Sequence, residues 1–195
     1  MELSLTLTDT ADTLAAWAHS FELTYTIKFS SDTLTTSLDI HNTGVTAYAF
    51  QALLHTYFKI EEITECVFDG FLNVDHIDQL QNGEVIPGSD KGEVRIVDEV
   101  DRIYKDFPPG HCPLTIGSKK GRIVSLEISL MEDGHRVPHD VVLWNPWVDK
   151  SKRMVDFGDD EYHNMVCVEP GCVSSFRTCE PDAVWKLSQK IQFFQ

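Results

Sequence analysis

The chain has 195 residues, with 16 Lys+Arg against 31 Asp+Glu and a formal net charge of −15. Its 42% hydrophobic and 24% charged content is that of a globular protein, and the length suits one domain over residues 1–195. Such a charge repels phosphate backbones and anionic bilayers, so neither nucleic acid nor a membrane is expected as a partner, and no apolar run reaches the roughly 18 residues of a spanning helix.

The N-terminal residues carry Glu2, Asp9 and Asp12 in place of a basic and apolar leader, which predicts no signal peptide. Leu3, Leu5 and Leu7 then alternate with Ser4, Thr6 and Thr8. In residues 21–30 Leu23, Tyr25, Ile27 and Phe29 share one parity, and residues 33–40 are Thr-rich. Period two with β-branched enrichment predicts half-buried antiparallel strands, and Ser30-Ser31-Asp32 a hairpin turn between two of them. Further strands are expected at 48–59, 64–68, 71–74, 94–97, 102–104, 123–130 and 141–144. A long edge-type strand is expected from Ala183 to Phe194, where Trp185, Leu187 and Ile191 form one face. Gln81-Asn82-Gly83, Pro87-Gly88-Ser89, Pro108-Pro109-Gly110 and Glu132-Asp133-Gly134 punctuate these runs, and Gly117 to Gly121 reads as a hairpin tip. Only 11–16 and 152–157 have room for a turn or two of helix. Many short strands with almost no helix predict an all-β sandwich or barrel.

The five cysteines are an odd number, which predicts reduced thiols and a cytoplasmic setting. Cys167, Cys172 and Cys179 can be grouped with His163. That spacing lacks the paired Cys-x2-Cys knuckles of zinc sites, so buried thiols are the simpler reading.

Four segments carry chemistry. On a strand, Leu53, His55 and Tyr57 point one way and Leu54, Thr56 and Phe58 the other. His55 is then either a satisfied core histidine or a general acid titrating near neutrality. Glu169 ends the apolar run Met165 to Val168. It is either a solvated strand end or a carboxylate made basic by desolvation. The turn Trp144-Asn145-Pro146-Trp147 is either a Trp-anchored corner or a display of aromatic faces and one amide to a sugar. Asp101, beside Arg102, is a surface ion-pair member or a partner for sugar hydroxyls. The acidic loop 156–162 reads as a helix cap or a solvated face.

Taken in order, TLAAWAHSFELTYTI (13–27), ALLHTYF (52–58), DEVDRIY (98–104), LWNPW (143–147) and DFGDDEYHNMVCVEPG (156–171) resemble the glucose-6-phosphate 1-epimerases, the hexose-6-phosphate branch of the aldose 1-epimerase superfamily. The resemblance covers essentially the whole chain. It implies a β-supersandwich of the galactose mutarotase type and interconversion of the α and β anomers of a hexose 6-phosphate. It further implies Glu169 as general base, His55 as general acid and Asp101 on the sugar, with Trp144 and Asn145 as further substrate contacts. Anomer exchange needs only a carboxylate and an imidazole, expected on opposite sides of the ring, with no metal and no cofactor. The branch's N-terminal segment, with its phosphate-holding arginines, has no counterpart here, so an N-terminally truncated sandwich with uncovered edges is expected. The alternative is a non-catalytic relative that acts as a carbohydrate-binding or interaction β-sandwich.

Overall fold

The computed structural model describes residues 1–111 and 113–194, so Cys112, one of the expected thiols, lies outside the described residues. Fifteen strands run in chain order: β1 (Glu2–Thr8), β2 (Glu22–Phe29), β3 (Thr33–His41), β4 (Tyr48–Leu53), β5 (Tyr57–Lys59), β6 (Val67–Asp69), β7 (His76–Asp78), β8 (Glu84–Ile86), β9 (Val100–Phe107), β10 (Leu114–Ser118), β11 (Gly121–Glu132), β12 (His135–Val137), β13 (His139–Asn145), β14 (Met165–Cys179) and β15 (Val184–Phe193). Two short helices, α1 (Ala11–Ala16) and α2 (Trp147–Ser151), and three 3-10 turns complete the described elements. None of these helices is long and apolar enough to cross a membrane.

The strands form two antiparallel sheets. One runs β1-β2-β3-β15-β11-β10-β6, with β12 on β11. The other runs β4-β14-β13-β9-β7-β8, with β5 also on β14. Their inner faces meet. Phe68, Ile116, Leu126 and Ile191 from the first sheet pack with Tyr104, Val141, Leu143, Val166 and Val168 from the second. A neighbouring cluster joins Ile40, Leu130, Trp185 and Leu187 to Tyr48, Phe50, Cys172 and Cys179. The period-two pattern of the N-terminal third is realised in the ladder Leu3↔Ile27, Leu5↔Tyr25, Leu7↔Leu23, continued by Tyr25↔Leu38 and Leu23↔Ile40. β1 is an edge strand, and its three leucines are about half exposed.

Several sequence expectations change. The C-terminal strand β15 is central, between β3 and β11, not an edge. Its polar parity is matched by cross-strand partners: Lys186 to Asp39, Ser188 to Ser129 and Lys190 to Glu127. One face of an antiparallel sheet tolerates that composition wherever the strand lies. The helix near 152–157 is absent; a short helix precedes it as α2. Residues 71–74 form a turn, and Val94 makes only an isolated bridge to Phe68. The run 48–59 is two strands, broken at Leu54-His55-Thr56. β14 does not end at Glu169 but continues to Cys179.

The break and the length of β14 are linked. Leu54 N–H donates to the Pro170 carbonyl, and Val168 N–H donates to the Thr56 carbonyl. Pro170 has no N–H to return to β4, so the ladder between β14 and its edge partners parts there. His55 occupies that gap.

Candidate active site

The second sheet sets the site by register. Tyr57 pairs with Cys167, Cys167 with Trp144, and Trp144 with Asp101. Directly opposed residues share a face, so these four side chains form one row. Glu169, two residues beyond Cys167, lies on the same face, whereas Val166, Val168, Leu143 and Val141 fill the inter-sheet core. The row therefore stands on the side turned away from the core. His55 joins it from the gap. The alternate residue Thr56 is held on the inner side by Gln189 of β15, whose amide donates to the Thr56 hydroxyl at 2.6 Å and to that of Thr36 at 3.1 Å.

His55 Nε2 lies 3.3 Å from Glu169 Oε1. The imidazole side chain is 51% exposed and the carboxylate 3%. The two groups thus stand in contact at one spot, not on opposite sides of a ring. Burial, with a smaller contribution from the Asp101 charge, raises Glu169 from its ordinary 4.5 to about 7, against an opposing hydrogen bond from Cys167. Burial and the Glu169 charge push the Cys167 thiol far up. The His55 ring stacks on Tyr57 at 4.9 Å and 14°, and both meet Trp144 edge-on, at 6.3 and 6.1 Å. Tyr57 is half exposed, so an open aromatic surface flanks the pair.

Asp101 is not paired with Arg102, which lies 3.7 Å from Asp78. The Asp101 carboxylate lies 3.5 Å from Lys150 Nζ of α2. That ammonium also lies 3.6 Å from Glu99 and 5.5 Å from the Trp144 ring centre. Asn145 departs from its expected place on the substrate. It is fully buried; its amide nitrogen donates to the carbonyls of Tyr162 and Met165, and its oxygen accepts from Trp147 N–H. With Trp147 at φ 53°, this bonding fixes the Asn-Pro-Trp corner that places Trp144 and α2. His163 pairs with Glu62 and not with the cysteines. Cys66, Cys167, Cys172 and Cys179 are free and buried.

Sequence reasoning missed Lys150, Cys167, Tyr57 and Gln189 as parts of this site. For Cys167 and Tyr57 the signal was available, since each shares strand parity with a residue already singled out. Lys150 and Gln189 arrive from other elements, and nothing local marks them. An apolar cavity of about 640 Å³ lies apart from this chemistry, lined by residues that include Trp17, Leu23, Ile40, Tyr48 and Phe176.

The two-sheet β-sandwich thus brings an imidazole against a buried carboxylate and flanks the pair with aromatic rings. The aldose 1-epimerase family model matches residues 1–192, and the chain belongs to that family. A Cenchrus ciliaris protein provisionally named glucose-6-phosphate 1-epimerase is 32% identical over 188 residues, 94% of this chain and 54% of that protein. A provisionally named mutarotase from Salmonella typhimurium superposes with a TM-score of 0.80 at 24% identity, over 98% of this chain and 59% of its own. A galactose mutarotase related enzyme from Lactobacillus acidophilus gives 0.74 at 13% identity, over 100% and 68%. These likenesses make the fold a galactose mutarotase-type β-sandwich. The chain spans about half the length of the Cenchrus ciliaris relative.

Proposed function

We propose that this chain carries the acid–base face of a sugar mutarotase that interconverts the α and β anomers of hexose 6-phosphates. The observation that supports this reading best is the contact between His55 and a buried Glu169 whose affinity for a proton is raised to the neutral range. Anomer exchange acts on two oxygens of one carbon, so its acid and base must be neighbours. The Glu169 carboxylate removes the proton of the C1 hydroxyl while the His55 imidazolium protonates the ring oxygen. The C1–ring oxygen bond breaks and leaves an open-chain aldehyde. Rotation about the C1–C2 bond presents the other carbonyl face. Closure returns the proton from Glu169 to the C1 oxygen, and His55 takes back the proton of the attacking hydroxyl. Trp144 and Tyr57 offer ring faces to the sugar, and Asp101 accepts from a hydroxyl.

The 6-phosphate preference is supported by the name of the Cenchrus ciliaris relative. On this face the ammonium of Lys150 is held by two carboxylates, so a phosphate has to find its cations elsewhere. The free buried thiols support a reducing, cytoplasmic setting.

The test follows relaxation of pure α-glucose 6-phosphate and of pure α-glucose, by polarimetry, with and without the purified chain. Acceleration abolished in Glu169→Gln supports the reading, and a preference for the phosphorylated sugar supports its finer part. No acceleration from the folded chain overturns it. Sugar-induced thermal stabilisation without acceleration would instead favour a carbohydrate-binding sandwich, the reading that the open aromatic surface also suits.

A further inference from the structure

The acid–base pair has a third chemical neighbour that anomer exchange does not use. A nitrogen of His55, the sulfur of Cys167 and a carboxylate oxygen of Glu169 all lie within 4.8 Å of one another. They come from two chain segments: the gap after β4, and two same-face positions of β14. We propose that His55, Cys167 and Glu169 form a binding site for Zn²⁺ or a similar borderline-soft divalent cation, which ties up the acid and the base and so holds the site inactive.

The geometry is close to what such an ion needs. Zinc takes imidazole nitrogen at 2.0–2.1 Å, carboxylate oxygen at 2.0–2.2 Å and thiolate sulfur at about 2.3 Å, mostly in a tetrahedron. Two tetrahedral ligands at those lengths sit roughly 3.4 Å apart. The His55 and Glu169 atoms are already 3.3 Å apart, and the sulfur has to close by about 1 Å. Three protein donors leave a fourth position for water, and the exposed side of His55 gives access to it. The charges also balance. On binding, the Cys167 thiol releases its proton to solvent and Glu169 binds as the carboxylate, so one thiolate and one carboxylate neutralise the dication where the two acidic residues are buried. No oxidation or reduction is involved. The site takes a soft or borderline metal in preference to Mg²⁺ or Ca²⁺, because those ions require mostly oxygen ligands.

The experiment titrates the full 195-residue chain with Co²⁺, which reports thiolate ligation by an intense near-ultraviolet charge-transfer band. The expected result is a band that saturates at one Co²⁺ per chain, is displaced by Zn²⁺, is lost in Cys167→Ser and persists in Cys66→Ser. His55→Gln, at a half-exposed position and so safe for folding, should weaken Co²⁺ binding more than ~10-fold, the lower end of what loss of an outer-shell partner causes. Absence of the band, its persistence in Cys167→Ser, or unchanged affinity in His55→Gln overturns the proposal. The readout is independent of turnover. A Cys167-dependent band on a chain without mutarotase activity sustains the metal site and removes the proposed reaction. An active chain without the band does the reverse.

Discussion

Gly171 sits so close to Ala52 that a Cβ on the glycine would fall 2.5 Å from the Ala52 carbonyl oxygen and 2.7 Å from Leu53 Cδ1. This approach seals β4 onto β14 immediately before the gap that holds His55 and two residues beyond Glu169. The distance between acid and base is therefore set by a contact that only glycine permits. Gly171→Ala should force the strands apart, lowering stability by about 1–3 kcal/mol, the range of overpacking. A midpoint fall of roughly 2–4 °C per kcal/mol in a thermal melt checks the stability effect. Turnover measured well below the new midpoint should fall as well, because His55 moves with β4.

The pH behaviour of Glu169 separates its two roles. As a base it must be ionised, so the limb of the mutarotation profile that Glu169 governs should rise as pH passes about 7. Its effect on stability has the opposite sense. The folded chain holds this proton up to about pH 7 and the unfolded chain only to about 4.5, so the folded state binds more protons across that window. The stabilisation is complete below 4.5 and is lost as pH rises through 7. It amounts to at most about 3 kcal/mol. Urea unfolding at pH 5 and pH 8, on the wild type and on Glu169→Gln, checks this. The difference between the two pH values should shrink in the variant, and its mutarotation should drop by ~10²–10⁴.

The β architecture was legible because alternation fixes faces. Leu3, Leu5, Leu7 and the matching parity of 21–30 needed no tertiary information to be placed on one side of a sheet. Strand order is a different matter. β15 read as an edge because its polar parity was visible and its partners Asp39, Ser129 and Glu127 were not. His55 and Glu169 stood out because a titratable group in an apolar run is costly unless used. Lys150 did not, because a lysine in a short helix is ordinary until Glu99, Asp101 and Trp144 converge on it. Asn145 misled for a related reason. Sequence gives the amide but not the carbonyls of Tyr162 and Met165, 17 and 20 residues away, that occupy it.

That corner sets a structural residue, Asn145, three bonds along the backbone from Trp144, the proposed sugar contact. Asn145→Ala leaves two buried carbonyls and the Trp147 N–H without partners, and should destabilise by about 2 kcal/mol or more. At a temperature where it is folded, its Michaelis constant should stay near that of the wild type. Trp144→Ala should do the reverse: a small change in melting, because the ring is only partly buried, and a clear rise in Michaelis constant as the sugar loses its aromatic face. Parallel thermal melts and initial-rate curves on both variants decide the assignment.

Asp140 holds the other end of the long strand. β14 changes register against β4 between Cys172 and Arg177, which frees backbone groups from the ladder. Asp140, fully buried on β13, takes them up: its carboxylate accepts from Val173 N–H and Ser174 N–H at 2.8 Å, from the Ser174 hydroxyl at 3.0 Å and from Asp106 N–H at 3.1 Å. A buried carboxylate with four donors rigidifies both strands at the point where they diverge. Asp140→Ala removes all four bonds and strands the amides in a dry setting, so a loss of about 3–5 kcal/mol is expected. Asp140→Asn keeps the size and one acceptor oxygen but turns the other oxygen into a donor facing N–H groups. It should therefore recover little of the loss. If urea unfolding showed Asp140→Asn at wild-type stability, the negative charge would not be what holds the bulge, and shape alone would have to explain the register change.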